Sequence, residues 1–145
     1  MTEHLPPDPA LELVAQTITH YAECHGDPYD AVYAALYASD HAYESLFVLD
    51  TDEGLRRNMM RTTLEIITTY LTDRTAAANS IIGARMSHIP YGIDDDFDVF
   101  FNITRDVICS GCRDIWTPAH GAAWSTMLSD FKAARLSDGR LFKFV

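Results

Sequence analysis

The chain is short of basic residues: 11 Lys and Arg stand against 21 Asp and Glu in 145 residues, a formal charge of -10. Nucleic acids and anionic membrane surfaces call for a basic face, so neither is expected as a partner. Long apolar runs are missing too; none reaches the roughly 18 residues that a membrane span needs. The opening MTEHLPPDPA is acidic and proline-rich, unlike the basic start and apolar stretch of a secretory leader. Three cysteines are an odd number, a poor basis for a disulfide framework, and the expected setting is the reducing cytoplasm. Alternation with period 2 never persists, so strands are not expected. No segment has the pattern of a serine or cysteine triad, a phosphate loop or a nucleic-acid motif. No glutamate follows Glu65.

What remains is a chain that can bury a core. Apolar residues make up 48% and charged residues 22%, which suits one ordered domain over residues 1–145 with a flexible segment at 1–8. The periodicity is helical almost throughout. Asp8 and Pro9 have the types preferred at a helix start, and Leu11, Val14, Ile18 and Tyr21 then share a face up to Gly26. Asp27-Pro28 repeats the start signal before Val32, Tyr33, Leu36 and Tyr37. A short helical turn is expected over Tyr43–Phe47. Asp50 to Glu53 offers capping groups for a long helix carrying Leu55, Met59, Met60, Leu64, Ile67 and Leu71.

Residues 73–79 are polar or small and are expected to turn. Another helix is expected from about Ser80 to Ile89, ended by Pro90 and a Tyr91-Gly92 corner. Asp94 to Asp96 opens a helix through Phe100, Ile103 and Val107. Thr117-Pro118 opens the last one, with Trp124, Leu128 and Phe131. The fold class is therefore all-α, with seven or eight short helices.

His88 is the residue with the most chemistry to offer. At a helix end, a neutral imidazole can give one ring nitrogen to a metal while the other N–H turns back to a carbonyl or hydroxyl near Ala84 or Ser87. An ordinary helix-end histidine favouring the dipole has the same local sequence.

Four stretches in order place His88 in a context. Tyr33-Ala34-Ala35-Leu36-Tyr37 is followed by Ser45-Leu46-Phe47; Arg56-Arg57-Asn58-Met59-Met60 runs on to Leu64; His88-Ile89-Pro90-Tyr91-Gly92-Ile93 comes next; Trp116-Thr117-Pro118 precedes Ala123-Trp124. Over about residues 28–131 the chain resembles the globin family, in particular bacterial single-domain globins and the globin part of flavohemoglobins. The resemblance implies a globin fold around a b-type heme, with His88 as iron ligand and Phe47, Met60, Tyr91 and Ile93 against the cofactor. It implies that Tyr33 faces the gas ligand, where a phenol O–H can donate; a core tyrosine bonded elsewhere would have the same sequence. The distal helix position falls on Arg56, or on Arg57 or Leu55 if the register slips, where the family usually has glutamine or histidine. An arginine there can donate to an anionic ligand, pair with a propionate or turn to water.

The proximal side also departs from the family. The position aligned with the family's tyrosine is Phe97, and the glutamate that would complete that pair is missing. Less electron push to iron follows. The implied function is reversible binding of dioxygen, NO or CO. The alternatives are an NO dioxygenase or peroxidase served by an external reductase, a heme-based sensor, and a heme-free adaptor. Cys109-Ser110-Gly111-Cys112 is followed by Arg113, which excludes c-type heme attachment. It is read as two thiols on one helical turn, and His20, His41 and His120 as solvated or hydrogen-bonded.

Overall fold

A computed structural model describes residues 8–88, 90 and 97–134. Among these are seven helices and no strand: α1 (Pro9–His25), α2 (Tyr29–Ser39), α3 (Ala42–Ser45), α4 (Gly54–Tyr70), α5 (Arg74–His88), α6 (Phe97–Gly111) and α7 (Pro118–Ala133). No described helix is long and apolar enough to cross a membrane, and Cys24, Cys109 and Cys112 are all free thiols.

Local chemistry explains most boundaries. The Asp8 carboxylate accepts from the Ala10 amide, Pro9 takes the first position, and Gly26 ends α1 at φ +75°, a backbone region open to glycine at little cost. Asp27 accepts from the Tyr29 amide at the head of α2. Thr117 and His120 cap α7 reciprocally, each side chain satisfying the other's backbone N–H. One expectation is corrected: the turn over residues 73–79 is helix from Arg74 on, and the connection after α4 is confined to 71–73. Asp73 accepts from the Ala76 amide, and Ala76, Ala77 and Ala78 are strong helix formers. Small residues between two amphipathic stretches were a continuation, not a break.

Two apolar clusters hold the helices together. The larger joins Val14 and Tyr21 of α1, Ile67 and Tyr70 of α4, Ile81 of α5, Phe101 and Ile108 of α6, and Trp124, Met127 and Phe131 of α7. At its centre Trp124 is fully buried and donates through Nε1 to Thr17 Oγ1 at 2.9 Å. Thr17 in turn donates to the Val14 carbonyl, and Cys112 donates to the Thr17 carbonyl. Buried polar atoms are thus paired, as a dry core requires. α1 and α6 meet closely at Gly111, where a Cβ would lie 2.4 Å from the Tyr21 ring. The smaller cluster joins Tyr29, Val32, Tyr33 and Leu36 of α2 to Met60 of α4 and to Phe100 and Ile103 of α6.

Candidate functional site

His88 ends α5 with its imidazole half-buried. Its Nδ1 lies 2.7 Å from the Ala84 carbonyl one turn back and 3.3 Å from Ser87 Oγ. A carbonyl can only accept, so Nδ1 carries a proton, and in the neutral ring Nε2 then keeps its lone pair. Such an imidazole is ready to bind a metal through Nε2, with its tautomer set by the other nitrogen. The ring of Phe97 meets it edge to face, with centroids 5.3 Å apart.

The second group of expected residues sits in the smaller apolar cluster. Tyr33 is only 4% exposed and lies among rings: Phe47 at 5.6 Å, edge to face, Tyr29 at 5.0 Å and Phe100 at 5.4 Å. Its phenol donates to the Arg56 carbonyl at 3.0 Å. Burial above all holds that phenol well above its ordinary range, so it stays a protonated donor. Met60 packs in the same cluster, 2% exposed, and Phe47 lies at its edge.

Arg56 is tied down at the head of α4. It donates through Nε to the Asp50 carboxylate at 3.0 Å, through Nη2 to the Asp50 carbonyl at 2.7 Å and through Nη1 to the Tyr37 hydroxyl at 3.3 Å. Its guanidinium lies 5.9 Å from the Phe47 ring centre. Asp50 also caps α4, accepting from the Leu55 and Arg56 amides. The alternatives for this register differ in place: Leu55 is 53% exposed, and Arg57 pairs with Glu53 at 3.8 Å while lying over the Tyr29 ring. A depression of about 440 Å³ opens beside this corner, lined by Tyr37, His41, Glu44, Phe47, Val48 and Arg56 among others.

The structure brings Tyr33, Phe47, Arg56 and Met60 together directly. His88 makes none of those contacts. Its neighbour Phe97 packs against the larger apolar cluster, while Phe100, three residues on along α6, sits in the smaller one with Tyr33. Tyr91 and Ile93 lie outside the described residues. His20 meets Asp114 and the buried His120 meets Gln16 and Thr117, while His41 is exposed.

Sequence reasoning found Asp50 as a cap but missed its pairing with Arg56, and it missed Arg85 and Asp98. Asp50 carried a signal, an acidic residue just before a helix, but its grip on Arg56 did not. Arg85 is one turn before His88 on α5, yet its partner Asp98 comes from the next helix. Compared with known proteins, the chain matches no family model, no curated protein and no solved structure.

Proposed function

We propose that this chain is a globin-like protein that takes a b-type heme on His88 and reversibly binds a diatomic gas such as dioxygen, NO or CO. The observation that carries the proposal is the His88 imidazole, whose Nδ1 is committed to the Ala84 carbonyl. Its Nε2 is left as the ligating atom. The donor set fits a heme, which asks the protein for one imidazole and an apolar surround. Heme, when bound, supplies the iron at which the gas binds. Phe47, Met60 and Phe100 supply apolar side chains, packed together around Tyr33, that keep water from its hydroxyl. Tyr33 contributes a buried, protonated hydroxyl able to donate to a polarised ligand, in competition with the Arg56 carbonyl. Arg56, held by Asp50, screens the side of that cluster facing the corner.

Gas binding is favoured over oxidative catalysis by the partner of His88. Among the described residues Nδ1 meets a neutral carbonyl and a hydroxyl and no carboxylate, and a neutral acceptor strengthens the electron push of the imidazole less than an anion would. Absorption spectra of the purified protein, ferric and ferrous, with and without CO, test the reading. The expected result is a Soret band that is lost in His88→Ala. A band that survives in that variant, or no band after expression with heme supplied, overturns it.

A further inference from the structure

Arg85 is 3% exposed, and burying a cation is costly unless its donors are all met. Arg85 finds acceptors on two other helices at once. Nη1 and Nη2 donate to the two Asp98 carboxylate oxygens of α6 at 3.2 and 2.6 Å. Nη2 also donates to the Phe131 carbonyl at 2.8 Å, and Nε to the Ala134 carbonyl at 3.0 Å, so the end of α7 gains partners for carbonyls that its own helix leaves open. A planar fork held this way has one orientation. That orientation places the guanidinium 4.6 Å from the centre of the Phe97 ring, within the range of a cation–π contact. The Phe97 ring in turn meets the His88 imidazole.

We propose that Arg85 is a positioning residue for His88, acting through Phe97. The bond from Nδ1 to the Ala84 carbonyl is a single contact, and alone it leaves the ring free to rotate off that carbonyl. Phe97 blocks that rotation, and Arg85 keeps Phe97 in place by stacking on it and by gripping Asp98, the next residue along the chain. Nε2 therefore points in one direction before anything binds. A purely structural arginine would need only the carboxylate and the carbonyls. The proposal extends the reading of His88 as an axial ligand, but the order of the ring is a property of the protein alone.

The test uses the heme-free full chain and 15N-edited NMR of the histidine rings at fixed pH. The wild type is expected to show His88 as the Nδ1–H tautomer with a slowly exchanging ring proton. Arg85→Lys keeps a cation beside Asp98 but loses the planar fork, and Phe97→Leu leaves the ion pair whole but removes the ring. Both are expected to lose the His88 ring-proton signal while the His120 signals stay as in wild type. Should Arg85→Lys fail to fold, Phe97→Leu decides. Unchanged His88 signals in a folded variant overturn the proposal, even if that variant melts at lower temperature. In the heme-loaded protein, the iron–histidine vibration is expected to shift in the same variants. A wild type that takes no heme, with the expected NMR losses still seen in the two variants, would sink the heme reading and leave the positioning role standing.

Discussion

Tyr33→Phe separates the two claims on one hydroxyl. In the ligand-free protein the phenol donates to the Arg56 carbonyl at 3.0 Å, inside a nearly closed ring cluster. A hydrogen bond of this kind is worth about 1 kcal/mol net. Removing the hydroxyl while keeping the ring should therefore lower stability by about 1 kcal/mol, or about 3 °C in melting temperature for a chain of this size, with or without heme. In the heme-loaded protein the same hydroxyl is expected to hold dioxygen, so its loss should speed dioxygen release roughly fivefold, the equivalent of about 1 kcal/mol. Release of CO, a less polarised ligand, should change far less. Stopped-flow displacement of dioxygen and CO, alongside chemical denaturation, measures all three. A lower stability with an unchanged dioxygen-to-CO ratio would show that the hydroxyl serves α4 alone and refute its role toward the ligand.

Three further outcomes follow from the core. Thr17→Val should cost about 2 kcal/mol, because Trp124 Nε1–H is left buried without an acceptor; a denaturation cycle with Trp124→Phe should be clearly non-additive, and strict additivity would mean the bond carries no coupling. Gly111→Ala should destabilise by about 1–3 kcal/mol, since the new methyl meets the buried Tyr21 ring; a melting temperature equal to wild type would contradict that close approach. Burial, then the hydrogen bond to Asp130, pushes the Tyr70 phenol from 10.0 up to about 12. The folded state thus resists ionisation that the unfolded chain undergoes first, so the contribution is whole below pH 10 and drains away as pH rises toward 12. Tyr70→Phe should flatten the loss of stability over that window in denaturation curves taken at stepped pH, and an unchanged slope would remove Tyr70 from the alkaline transition.

Much of the fold was legible because its cues are local. Asp8-Pro9, Gly26, Asp27 and Thr117-Pro118 act within a turn of themselves, and each marks a helix end in the structure. The alanines at 76–78 misled because small residues say little about a break and much about helix propensity. His88 was legible in the same way, since the carbonyl it needs lies four residues back on its own helix. The environment of that histidine was not. Phe97 and Asp98 of α6 and the C-terminal end of α7 reach Arg85 from two other helices, and Asp50 pins Arg56 across a corner. The sequence by itself determined that the described residues are helical and that the His88 imidazole turns one nitrogen to a carbonyl of its own helix, because both depend on neighbours within a turn. Only the tertiary structure decided what surrounds that imidazole, since a guanidinium's partners are chosen by how helices pack and not by their distance along the chain.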